Sequence, residues 1–391
     1  VTTQAISLNG TKVLENKSFA DYGDKGQFGF KIEAKGSRAV DSEASVEWTE
    51  DAGQPMPTAS GSDHGDSVFA NSTTGVISIP GITFGHDEVG KEYRYEIKEL
   101  QPLDKDTSAP LEGAEQNSDG KWVYNGITLD NSTKEIIIKV KSTTVNNQEV
   151  IQATVTGNNF TFTNTYNAET DYTFSGEKTI TNRDFKDGDT FTFKVEPQNG
   201  APAPEKDTVT IKPKDGSEAA VSFGNIHFTQ NDVKDAAIQA DGSRSKTFTY
   251  RVWEEKGDIA GIAYDSTAKT VKITVTDDGE GNLTAEAAAD SAALEWNNVY
   301  EASMTYSTGI DVQKTLTGRN MKAGEFDFTI TPQDGTPAVA DSDANFKNGA
   351  SLAGTANKMN KLSSLKFTQD DAGKTYTSVS YTHLTLPTIR L

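Results

Sequence analysis

Three lysines recur in one phrase of this 391-residue chain. Lys12-Val13-Leu14-Glu15-Asn16-Lys17, Lys178-Thr179-Ile180-Thr181-Asn182-Arg183 and Lys314-Thr315-Leu316-Thr317-Gly318-Arg319 each precede an aromatic-x-aromatic segment: Phe28/Phe30, Phe191/Phe193 and Phe326/Phe328. A second phrase, Tyr-x-[Ile/Val]-x-Glu, aligns Tyr95 and Glu99 with Tyr250 and Glu254. A third aligns Phe162, Asn164 and Tyr166 with Trp296, Asn298 and Tyr300. Burial lowers a lysine's pKa toward the neutral, nucleophilic amine. An asparagine carboxamide becomes an electrophile once its oxygen is polarised, and a glutamate in the same apolar pocket can hold and shuttle a proton. The product of such a meeting is a Lys–Asn amide, with loss of ammonia. Aromatic neighbours exclude water and keep the reaction effectively intramolecular.

The elements that position these residues are strands. Helical periodicity is nearly absent, and short alternating runs such as Phe28–Ile32, Tyr93–Ile97, Ile136–Val140, Phe160–Tyr166, Phe191–Val195, Phe248–Val252, Val271–Thr276 and Phe326–Ile330 are separated by polar turns such as Asp130-Asn131-Ser132. This spacing predicts an all-β chain of tandem Ig-like, Greek-key β-sandwiches. If the first and last strands of each sandwich are adjacent, lysine and asparagine meet in the core. The repeat divides the chain into sandwiches at 1–167 and 168–301, a truncated third at 302–378, and a tail at 379–391. The first carries long polar insertions around 36–75 and 100–121. Joins are short, so the units are expected to stack in line.

Composition narrows the function. With 37 basic and 57 acidic residues, the net charge of −20 disfavours nucleic acid and anionic lipid. No apolar run reaches membrane-spanning length. The chain has no cysteine, which excludes disulfides, thiolate metal sites and a cysteine nucleophile. Together with the Thr-, Gly- and Asp-rich composition, that fits an exported bacterial surface protein. The chain begins without methionine or signal peptide and is read as part of something longer.

K-T-[L/I]-T-x-R, Y-x-[I/V]-x-E and [F/W]-x-N-x-Y in this order resemble the pilin-type isopeptide-linkage domains of Gram-positive surface proteins, among them the streptococcal FctA-like backbone pilins. The resemblance implies that Lys12 joins Asn164 with the help of Glu99, and that Lys178 joins Asn298 with the help of Glu254. Lys17 stands where the other repeats have arginine and rivals Lys12. Asn297 rivals Asn298, although alignment on the final tyrosine selects Asn298. Lys314 has no glutamate or asparagine in register, because Ser378 and Thr382 stand where tyrosine and glutamate are expected; it should remain a free amine.

Other motifs give less. His64, His86, His227 and His383 share no metal-ligand spacing, and Asp277-Asp278-Gly279-Glu280-Gly281-Asn282 and Asp63-His64-Gly65-Asp66 read as turns rather than calcium loops. No cofactor or metal is expected. Asn71-Ser72-Thr73 and Asn131-Ser132-Thr133 match glycosylation sequons. Val379–Leu384 back-translates to GTC-TCT-TAT-ACA-CAT-CT, a run resembling the transposon mosaic end of sequencing adapters. Residues 379–391 are therefore expected to be non-native read-through, and Leu386-Pro387-Thr388-Ile389-Arg390 is not read as a sortase signal.

These features point to a cell-wall or pilus surface protein, a shaft or adhesin stalk strengthened by autocatalytic crosslinks and neighboured by further pilin or stalk domains. It is not expected to be a turnover enzyme; a glycosidase would need a paired-carboxylate cleft, which no position marks. The alternative expectation is a module that binds a host glycan or matrix ligand through the first-domain loops, without crosslinks.

Overall fold

The computed structural model describes residues 3–19, 28–58, 67–102 and 111–384. Asp63–Asp66, with His64, and Leu386–Arg390 lie outside the described residues. The chain is all-β, in a succession of two-sheet sandwiches. No helix is long and apolar enough to cross a membrane among the described residues.

The first lysine strand, Gln4–Glu15, lies between Val76–Phe84 and the asparagine strand Phe160–Tyr166. The facing sheet carries the aromatic strand Gly29–Ala39 beside the glutamate strand Lys91–Glu99. The inward faces of both sheets share one core, with Leu8, Ile77 and Phe162 from one and Phe30, Ile97 and Ile138 from the other. Alternation produces this arrangement, since successive side chains point to opposite faces of a sheet, with register shifts at Ile6/Leu8 and Ala34/Ser37. In Phe160–Tyr166 the residues Phe160, Phe162, Asn164 and Tyr166 are buried, so the asparagine occupies a core position.

The next unit repeats the plan. Its lysine strand Glu169–Thr181 lies between Glu218–Thr229 and the asparagine strand Glu295–Tyr300. Its glutamate strand Arg244–Glu254 pairs with the aromatic strand Phe191–Pro197. In both units the lysine strand runs parallel to the asparagine strand, with Leu14 opposite Asn164 and Ile180 opposite Asn298. Parallel strands cannot be joined by a tight hairpin. The rest of each sandwich is therefore the connection that joins its first strand to its last.

The remaining strands form three small sheets. Ile310–Thr315, which holds Lys314, pairs with Ala356–Lys361 only, among the described residues. Phe326–Pro332 pairs with Ser378–Leu384. The core here is small, built on Met321, Phe326 and Phe328, with Phe346 stacked on Phe328 at 5.1 Å.

The first two units are clasped together. The Tyr166 hydroxyl donates to Asp277 Oδ1 at 2.5 Å and accepts from the Gly281 N–H at 3.1 Å. Lys17 donates to the Gly279 carbonyl and lies 4.8 Å above the Tyr166 ring. Gly126 and Gly281 approach so closely that a Cβ on Gly126 would sit 2.6 Å from the Gly281 Cα. The segment Asp277–Asn282, read from sequence as a hairpin turn, is thus also the knuckle by which one unit seats on the other.

Candidate functional site

Each of the first two units holds a buried polar cluster in an otherwise apolar core. Lys12 reaches the core because it continues the alternating series Leu8, Gly10, Lys12, all buried. Its Nζ donates to Glu99 Oε2 at 2.8 Å, and both side chains are 0% exposed. Glu99 Oε1 accepts from Asn164 Nδ2 at 2.8 Å. One carboxylate therefore bridges the amine and the carboxamide. The second unit has the same geometry, with Lys178 Nζ to Glu254 Oε2 at 2.9 Å and Asn298 Nδ2 to Glu254 Oε1 at 2.8 Å.

The aromatic phrases wall these clusters. Phe30 stands opposite Glu99 in the ladder and Phe193 opposite Glu254. Phe30 packs on Phe162 at 5.1 Å, and Phe193 on Trp296 at 4.7 Å. Lys12 Nζ lies 4.9 Å from the Phe28 ring, and Lys178 Nζ 5.2 Å from that of Phe191. Burial pushes both lysines down, against the opposing pull of their glutamates. Burial likewise pushes both glutamates up, against the pull of the lysines. The amine and the acid are thus brought toward a neutral pair, the state that suits nucleophilic attack with proton transfer.

The rivals lie elsewhere. Lys17 sits at the unit junction, not at Glu99. Asn297 is exposed and accepts from the Thr179 and Thr181 hydroxyls, while Asn298 is buried. Lys314 is half-buried, with Nζ 4.3 Å from the Phe326 ring. The position opposite Phe328 is Thr382, a hydroxyl where the other units have a carboxylate. His86 pairs with Glu149 and His227 with Asp171, and no metal-holding cluster occurs among the described residues.

Two features were missed in the sequence. One is a glycine two residues before each buried lysine. A Cβ on Gly10 would lie 2.2 Å from the Phe160 ring, and one on Gly176 2.2 Å from the Leu294 carbonyl. The shared signal was Gly-x-Lys, and the third repeat departs from it with Val312. The other is a pair of loop amides. The Asp130 N–H donates to Asn164 Oδ1 at 2.8 Å, and the Asp265 N–H to Asn298 Oδ1 at 2.7 Å. The available signal was Asp-x-x-x-Lys, at Asp130/Lys134 and Asp265/Lys269.

The chain is similar to the major pilin of Streptococcus pyogenes, at 13% identity over 54% of this chain and 92% of that one, with a TM-score of 0.22. It is similar to the S. pyogenes T-13 major pilin, at 16% identity over 76% and 100% of the two chains, with a TM-score of 0.20. For the major pilin SpaD of Corynebacterium diphtheriae the values are 10%, 94%, 81% and 0.19. No curated protein matches. The family model FctA, the Spy0128-like isopeptide containing domain, matches residues 8–167, 174–301 and 310–380. The chain belongs to the FctA family of Spy0128-like isopeptide-containing domains.

Proposed function

We propose that this chain is a structural element of a Gram-positive cell surface, a pilus shaft or adhesin stalk, whose first two units are each closed by an intramolecular Lys–Asn amide. The observation that carries the reading is the buried bridge, found twice, of one glutamate between a lysine on the first strand and an asparagine on the last.

In the chemistry this implies, the lysine proton passes to glutamate and the neutral Nζ attacks the asparagine Cγ. Glutamate then relays a proton from Nζ to Nδ2. The Cγ–Nδ2 bond breaks, the Nζ–Cγ amide remains, and ammonia leaves. Each cluster reacts once, so the chain is a substrate of its own chemistry rather than a turnover enzyme.

The mechanical role follows from topology. Load arriving along the first strand reaches Lys12, crosses the amide to Asn164 and leaves along the last strand. Residues 13–163 then carry no tension, and the sandwich is not pulled open. A chain without cysteine gains a clamp indifferent to redox conditions. Peptide mapping tests the reading: digestion should yield branched peptides joining Lys12 to Asn164 and Lys178 to Asn298. Linear peptides ending at unmodified Lys12 and Lys178 would contradict it.

A further inference from the structure

Asp130 and Asp265 are not members of the lysine, glutamate and asparagine phrases, yet the fold delivers both to the same atom. Each follows a two-residue strand, Ile127–Thr128 or Ile262–Ala263, paired with the asparagine strand of its unit. Each then turns its backbone N–H onto the carboxamide oxygen, at 2.8 Å in one unit and 2.7 Å in the other. The two loops share only Asp-x-x-x-Lys in register, in Asp130-Asn131-Ser132-Thr133-Lys134 and Asp265-Ser266-Thr267-Ala268-Lys269.

We propose that the Asp130 and Asp265 backbone N–H groups are the oxyanion donors of amide formation, and that their own side chains are positioning groups that hold those donors in place. The inference rests on the crosslinking reading above. When Nζ adds to Cγ, negative charge develops on Oδ1, the atom the loop N–H already faces. The charge stays there until the Cγ–Nδ2 bond breaks and ammonia departs with the relayed proton. A donor aimed in advance at the site of developing charge stabilises the transition state without reorganising. The same bond also fixes the carboxamide's orientation. With Oδ1 held by the loop, Nδ2 is left facing the glutamate that must protonate it.

The aspartate carboxylates anchor the loops. Asp130 Oδ1 accepts from the Ser132 N–H at 2.8 Å, and its Oδ2 from the N–H of Thr163, the residue before Asn164, at 2.9 Å. Asp265 Oδ1 accepts from the Thr267 N–H at 3.2 Å, and its Oδ2 from Lys269 Nζ at 3.4 Å. Although burial opposes it, these hydrogen bonds hold both carboxyls below the usual range, so they remain charged acceptors.

The test follows ammonia loss by mass spectrometry in full-length chain kept denatured from synthesis and then refolded. Asp265→Ala, which loosens the donor without removing it, is expected to slow closure of the second unit by at least about tenfold, less than the roughly 10²–10³-fold cost of losing an oxyanion donor outright, while the first unit closes at the wild-type rate. Asp265→Asn, which keeps an acceptor for Thr267, is expected to recover most of that rate. Closure of Asp265→Ala at the wild-type rate, in a wild-type chain that does lose ammonia, would overturn the donor proposal and leave the crosslink standing. A wild-type chain that loses none would remove the crosslink itself. A measurement on unaltered protein guards against a misfolded variant: the Asp130 and Asp265 amides, though outside any strand, should exchange with deuterium as slowly as strand amides. Exchange at open-loop rates would also overturn the proposal.

Discussion

Thr382 stands directly opposite Phe328, at the ladder position where Glu99 faces Phe30 and Glu254 faces Phe193. The third repeat therefore keeps the lysine and the aromatic wall but has a hydroxyl in place of the carboxylate that bridges lysine and asparagine in the other two units. Lys314 is expected to remain a primary amine. Amine-directed acetylation of the native chain should modify Lys314 and spare Lys12 and Lys178; an unreactive Lys314 found in a branched peptide would contradict this.

Replacing Asn298 and replacing Glu254 should both abolish closure of the second unit, but at different cost. The proposed Lys178–Asn298 link would span 298 − 178 = 120 positions. By analogy with disulfides of that loop length, its loss should cost about 4–5 kcal/mol. Asn298→Ala keeps the Lys178–Glu254 pair. Glu254→Ala also leaves a buried lysine without its partner, a further loss on the order of 3–5 kcal/mol for a broken buried pair. Guanidinium unfolding read by Trp253 and Trp296 fluorescence should rank wild type above Asn298→Ala and Asn298→Ala above Glu254→Ala. The reverse order of the two variants would contradict a stabilising role for the carboxylate.

The pH dependence of closure follows from the opposed shifts of the pair. An ion pair and a neutral amine–acid pair bind the same number of protons, so the reactive form keeps a constant share between the two macroscopic steps. Acid below the raised glutamate value leaves the lysine protonated with no base to relieve it. Alkali above the lowered lysine value leaves the glutamate ionised with no proton for the leaving group. The refolding-coupled rate should show a plateau through neutral pH and fall on both sides. A rate that climbs steadily through the alkaline range, as for a solvent-exposed lysine, would exclude the coupled pair.

How much of this was legible follows from periodicity. Phe160, Phe162, Asn164 and Tyr166 share one face because they alternate, and a repeated asparagine on that face marks itself as unusual. The lysine and glutamate phrases were readable for the same reason. The Asp130 and Asp265 donors were not, because a backbone N–H belongs to every non-proline residue and its target is set by tertiary placement. Gly10 has little strand propensity of its own, and what its missing side chain admits, the Phe160 ring, is set by tertiary packing. The role of Asp277–Asn282 depended on a partner 111 positions away in sequence, Tyr166, which no local pattern announces.

The junction makes its own prediction. Tyr166→Phe removes a hydrogen bond to the carboxylate of the buried Asp277, a loss of about 1.5–3 kcal/mol. The individual sandwiches should keep their fluorescence while the angle between the first two units becomes more variable. Small-angle scattering should show a broader distribution of overall dimensions for the variant than for wild type; superimposable curves would show that the clasp does not hold the units in line.

The most direct test of the central claim is the intact mass of the native chain. Two closed clusters predict a mass lower than the sequence mass by two ammonias, with one restored by Glu99→Ala, one by Glu254→Ala and both by the double variant. A wild-type mass equal to that of the sequence would contradict the account.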